Sequence, residues 1–127
     1  MSHFLVIDDD LQILEVLSEM LKLEGHTVTT ASDGKQAAKC LTCETFDLVI
    51  TDLIMPEKEG LETIADLRQE HAGIPIIAIS GGGRIGPMNY LETATGIGAD
   101  ATLAKPFARD ELISVVNHLL SRTFEEV

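Results

Sequence analysis

Phe4-Leu5-Val6-Ile7-Asp8-Asp9-Asp10 sets four apolar residues directly before three carboxylates. So short an apolar run, bounded so abruptly, reads as a strand buried on both faces that delivers its polar groups at its carboxyl end. Such a strand is internal to its sheet. From Leu11 onward Ile13, Leu14, Val16, Leu17, Met20 and Leu21 follow the i, i+3, i+4, i+7 spacing of an amphipathic helix, and Gly25 supplies a stop. Strand is followed by helix.

The alternation then repeats. Thr27 to Thr30 predicts a second strand, Gly34 to Leu41 a helix, and Phe46 to Thr51 a third strand ending at Asp52. A helix around Leu61, Ile64, Ala65 and Leu67 leads to a fourth strand over Ile74 to Ile79. Pro87 to Thr95 predicts another helix, Asp100 to Ala104 a short fifth strand, and Ala108 to Leu120 a final helix. Helices between consecutive strands act as crossovers, so the expected class is α/β. It is a five-stranded parallel sheet with helices on both faces, the flavodoxin-like (βα)5 arrangement.

A length of 127 residues with 45% hydrophobic content predicts one domain spanning residues 1–127. Nine Lys and Arg against 21 Asp and Glu give a net charge of −12, which disfavours direct binding to nucleic acid or to an anionic membrane. Cations and proteins are the expected partners. No apolar run reaches the roughly 20 residues of a membrane helix, and Met1-Ser2-His3-Phe4 lacks signal-peptide character, so a cytoplasmic location is expected. No DNA-binding or catalytic segment follows the last helix, so the expectation is either a stand-alone unit, which is favoured, or a domain cut from a longer chain. Cys40 and Cys43 have C-x2-C spacing without a second pair or a nearby histidine, and read as ordinary small apolar residues of a helix.

Open parallel sheets bind ligands beyond the carboxyl ends of their strands. There the sequence places Asp8, Asp9 and Asp10, then Asp52, Ser80 and Lys105, after the first, third, fourth and fifth strands. The second strand gives only Ala31-Ser32-Asp33-Gly34, a turn and helix start, as expected at a sheet margin. Clustered carboxylates repel one another, and a hard cation relieves the repulsion. Carboxylate and water ligands without histidine or thiolate favour Mg2+ over a transition metal. A carboxylate next to such an ion, with an ammonium and a hydroxyl in reach, can accept a phosphoryl group. Asp52 is the candidate nucleophile, because it comes from a central strand and has no acidic neighbour nearer than Asp47. Asp8 and Asp9, being adjacent, can share the ion. Asp10 reads as the N-cap of the first helix, with a third metal ligand as the alternative.

At these residues the chain resembles, along its whole length, the receiver domains of two-component response regulators. The resemblance is carried by Leu5 to Asp10, by Asp47 to Pro56 with Gly60 following, by Ile76 to Ser80, by Gly98-Ala99-Asp100 and by Lys105-Pro106-Phe107. It implies that Asp52 is the phosphorylated aspartate and that Asp8 and Asp9 form the acidic pair for Mg2+, with Asp9 binding directly. The backbone carbonyl of Ile54 is implied as a further metal ligand. Ser80 matches the hydroxyl that closes on the phosphoryl oxygen, Lys105 matches the lysine that pairs with it, and Lys105-Pro106 matches the family's cis peptide. The implied function is a signalling switch rather than an enzyme. Asp52 takes its phosphoryl group from a phosphohistidine of a histidine kinase or histidine phosphotransfer protein. The altered surface of the helix over 87–95, the fifth strand and the final helix then changes binding to a downstream target protein.

Two departures stand out. Most receivers carry Tyr or Phe three residues before the lysine, where this chain has Thr102, so the usual aromatic switch is missing. Tyr90 is a candidate substitute, although a surface or half-buried tyrosine is the favoured reading. The segment from Ser80 to Lys105 is longer than usual and begins Gly81-Gly82-Gly83-Arg84, which predicts a mobile loop able to close on phosphorylated Asp52. Arg84 reads as an exposed loop residue, and His3, His26, His71 and His118 as surface or packing histidines. Two other classes remain open. A phosphohydrolase with an aspartyl-phosphate intermediate usually has a second aspartate two residues after the nucleophile, where this chain has Ile54. A binding module that has lost phosphorylation is disfavoured by the full set Asp8, Asp9, Asp52, Ser80 and Lys105.

Overall fold

The computed structural model describes residues 2–52, 60–70, 73–80, 98–105 and 107–125. Their elements are β1 (His3–Ile7), α1 (Leu11–Leu23), β2 (Thr27–Ala31), α2 (Gly34–Cys43), β3 (Leu48–Asp52), α3 (Gly60–Glu70), β4 (Ile76–Ser80), β5 (Ala101–Ala104) and α4 (Arg109–Glu125). The strands form one all-parallel sheet in the order β2-β1-β3-β4-β5. The expected α/β fold is the one observed, with β1 internal and β2 at the margin. The helix expected over 87–95 lies outside the described residues, as do Ile54, Arg84, Tyr90 and the glycines at 81–83.

Strand periodicity builds two cores. Phe4 and Val6 of β1 point to the face covered by α1 and α4, where they meet Leu14, Leu17, Leu112 and Val116. Leu5 and Ile7 point to the other face, against Ala37 of α2 and Ile64 and Leu67 of α3. Burial on both sides explains why β1 and β3 read as continuous apolar runs rather than alternating ones.

Local chemistry sets the helix starts. Asp10 has extended backbone and accepts from the Gln12 N–H at 2.9 Å, so it is the N-cap of α1. Asp33 accepts from the Gln36 N–H at 2.8 Å and caps α2 in the same way. Gly25 closes the turn after α1 with φ +92°.

Two strands begin two residues later than the sequence suggests, and β5 begins one residue later. Phe46 and Asp47 precede β3: Asp47 is tied to His3 twice at 2.8 Å, its N–H donating to the His3 carbonyl and its carboxylate accepting the His3 N–H, while Phe46 turns into the core and stacks on His3. β4 begins after Pro75, which has no N–H to give to a ladder.

At the amino end of β4, Arg68 of α3 donates to the carbonyls of Gly98 and Ile74 and pairs with Asp100, whose carboxylate also accepts the Ile76 N–H. Gly98 has φ +141°, and a Cβ there would lie 2.5 Å from Cγ of Arg68. Gly98→Ala is therefore expected to destabilise the protein by about 1–3 kcal/mol, through backbone strain and displacement of Arg68. Urea unfolding checks this, and an unchanged midpoint would refute it.

Candidate functional site

The carboxyl ends of the strands form one rim. Asp8 follows β1, and its backbone N–H continues the ladder to the Ala31 carbonyl at 3.1 Å. One carboxylate oxygen of Asp8 accepts the Asp10 N–H at 2.9 Å, which fixes the orientation of the side chain. Asp52 ends β3 next to it, since Ile7 is in register with Thr51. Both acids are buried, with 1% and 6% of their surface exposed, whereas Asp9 is open to solvent.

Lys105 joins them from the far end of the chain. Its Nζ donates to Asp8 Oδ2 at 3.0 Å and stands 3.6 Å from Asp52 Oδ1. Burial pulls the ammonium's pKa down, but the hydrogen bond to Asp8 and the charges of Asp52 and Asp8 outweigh it, leaving the pKa above the ordinary lysine value. Ser80 ends β4 in register with Ala104, the residue before Lys105, which puts it on the same rim. Its side chain lies outside the described residues, as does Pro106.

Asp8, Asp9 and Asp52 each offer a carboxylate oxygen, and these atoms lie within 4.8 Å of one another. A donor set made of three carboxylates suits a hard divalent cation. Asp10 is turned to helix capping instead. Cys40 is half buried against the core and Cys43 is exposed, both as free thiols. Burial, then the negative charge of Glu44 and Cys43, pushes the Cys40 thiol up, the opposite of what a reactive cysteine needs.

Sequence reasoning missed the ties at the opposite rim. His3 Nδ1 bonds Thr27 Oγ1 at 2.7 Å, and His3 Nε2 bonds Glu44 at 2.8 Å, with Thr29 donating to the same carboxylate at 2.9 Å. The His3 bond, then the Thr29 bond, holds the Glu44 carboxyl below its usual range. No local pattern announces this clasp, because its members lie 24 and 41 residues from His3.

A doubly wound sheet with an acid cluster and a lysine at its carboxyl rim is the frame in which comparison with known proteins identifies a receiver domain. The response regulator receiver domain family matches residues 4–117, and the chain belongs to that family. It is 36% identical over 123 residues to the transcriptional regulatory protein CpxR of Escherichia coli (strain K12), covering 97% of this chain and 51% of CpxR. It is 31% identical over 122 residues to the response regulator SaeR of Staphylococcus aureus (strain USA300), covering 96% of this chain and 52% of SaeR. The chain thus spans about half the length of these curated relatives. A receiver domain from Clostridium thermocellum superposes with a TM-score of 0.91 at 27% identity over all of both chains. The receiver domain of the Francisella response regulator 1452 superposes with a TM-score of 0.86 at 31% identity, covering 97% of this chain and 99% of that one. Among the described residues no helix is long and apolar enough to cross a membrane.

Proposed function

We propose that residues 1–127 act as one phosphorylation-dependent switch in which Asp52 accepts a phosphoryl group from a phosphohistidine. The observation that carries this reading is a single ammonium, Lys105, shared by two buried carboxylates from different strands. Asp8 takes the shorter contact, so a carboxylate oxygen of Asp52 can attack phosphorus in line as the phosphorus–nitrogen bond breaks and the imidazole leaves with the electron pair. Lys105 then faces the charge carried by the phosphoryl oxygens, and the hydroxyl of Ser80 closes on one of them. Asp8, Asp9 and Asp52, with the Ile54 carbonyl, would hold Mg2+, which when bound neutralises part of that charge.

The donor is a histidine kinase or histidine phosphotransfer protein, and the output is altered binding to a downstream target protein in the cytoplasm. Nucleic acid and membrane are not direct partners of this acidic chain. The residues promote their own phosphorylation and dephosphorylation rather than turning over a substrate, and Ile54, two positions after Asp52, supplies no acid/base group for a hydrolase.

Mass spectrometry after incubation with acetyl phosphate and Mg2+ tests the reading. One persistent phosphoryl adduct supports the switch, turnover of many phosphate esters would indicate a hydrolase, and no adduct would indicate a binding module. A separate measurement tests the metal. Mg2+ at tenfold its dissociation constant is expected to stabilise the fold by about 1.4 kcal/mol, raising Tm, with the shift abolished in Asp9→Ala. A melting curve indifferent to Mg2+ would remove the ion from the reading.

A further inference from the structure

Among the described residues no strand pairs with the outer edge of β2, and the pattern of that edge can be read from two hydrogen bonds. Thr27 N–H donates to the Ser2 carbonyl, and the Ala31 carbonyl accepts from Asp8. In a parallel ladder the N–H and C=O of one residue point to the same neighbour and alternate along the strand. Thr27, Thr29 and Ala31 therefore face β1, while Val28 and Thr30 direct two N–H and two C=O groups away from the sheet. Among the described residues none of these four groups has a hydrogen-bond partner. The strand reads Thr-Val-Thr-Thr-Ala, in unbroken register with β1. It has no proline, charge or bulge, the devices that usually block pairing at an edge.

A groove of about 450 Å3 runs beside that edge, between α1 and the side chains of Val28 and Thr30. Leu11 and Leu14 give it an apolar patch, and Leu11 is 70% exposed. Glu15 and Glu19 line it one helical turn apart, with Lys22 near the end of α1 that leads into β2. Glu15, Glu19 and Lys22 form no ion pair among the described residues.

We propose that this edge and groove dock an extended segment of a partner protein, added as a sixth strand and carrying lysine or arginine beside Glu15 and Glu19. The main-chain groups of Val28 and Thr30 supply the pairing, and alternate side chains of the segment fall into the groove, an apolar one on Leu11 and Leu14. Charge argues against a second copy as occupant. Two β2 edges paired about a two-fold axis would bring the α1 helices together on one face of the sheet, with Glu15 and Glu19 against their counterparts. The net charge of −12 adds to that repulsion and favours a cationic strand.

The test uses the full chain and a fluorescent seven-residue peptide in which lysine alternates with valine, followed by anisotropy and amide hydrogen exchange. A peptide of the same composition with alternate backbone amides methylated keeps the charge but cannot pair. The alternating peptide is expected to bind at least about fivefold more tightly than the methylated one, and to slow exchange at Val28 and Thr30. Glu15→Lys with Glu19→Lys should weaken binding to a similar degree. Thr30→Pro should do so too, because the N–H it removes takes no part in the β1 ladder. Equal binding of the two peptides, or unchanged exchange at Val28 and Thr30, would overturn the proposal. So would a concentration-dependent dimer that protects the same amides without peptide, since that would give the edge to a second copy.

Discussion

Asp52→Asn is expected to form no phosphoryl adduct with acetyl phosphate and Mg2+ while remaining folded. The amide has nearly the shape of the carboxylate but lacks its nucleophilic charge. The structure adds a second expectation, in the opposite direction, for stability. Among the described residues Asp8 and Asp52 are both buried and share one ammonium, with Asp9 within reach, so these four groups together carry more negative than positive charge. Removing one charge relieves repulsion and leaves the 3.0 Å Lys105–Asp8 bond in place. Tm should therefore rise by about a few degrees in the absence of divalent cation. An adduct on the variant would move the acceptor to another residue. A fall in Tm would show that the Asp52 charge is a net stabiliser.

Lys105→Met removes the ammonium but keeps a chain of similar length. Two buried carboxylates then face each other without that cation. Breaking one side of a buried pair costs about 3–5 kcal/mol, and the low end applies because Lys105 is itself 21% exposed. Adduct formation should slow by about 100-fold, as when one preorganised charge facing the transferred group is lost. The pH dependence identifies the cause. The folded-state pKa of Lys105 lies above its unfolded value of 10.5, so its contribution is complete below 10.5 and disappears as pH rises through the higher folded value. The stability gap between the two proteins should thus be full below 10.5 and close as pH rises through the higher folded value. A gap constant across pH would attribute the loss to packing alone.

What the sequence conveyed was whatever one segment decides by itself. The apolar run before Asp8 announces a strand with two buried faces, Asp10 sits where a first helical turn needs an acceptor, and Gly25 ends α1. Strand ends are local events, so the sequence itself groups the residues that follow them. The strand starts at Leu48 and Ile76 were less legible, because the tie of Asp47 to His3 and the proline at position 75 lie there rather than a break in hydrophobicity.

Contacts between distant segments were decided by the tertiary structure alone. Lys105 and Asp8 are 97 residues apart, and only the strand order β2-β1-β3-β4-β5 brings them within a hydrogen bond. The same order leaves Val28 and Thr30 with their main-chain groups facing outward, and it closes the His3–Glu44 and Arg68–Asp100 ties. Hydrophobic pattern fixes which way a residue faces within its own element. Which element lies beside it depends on how the sheet is wound, a property of the whole chain rather than of any stretch of it.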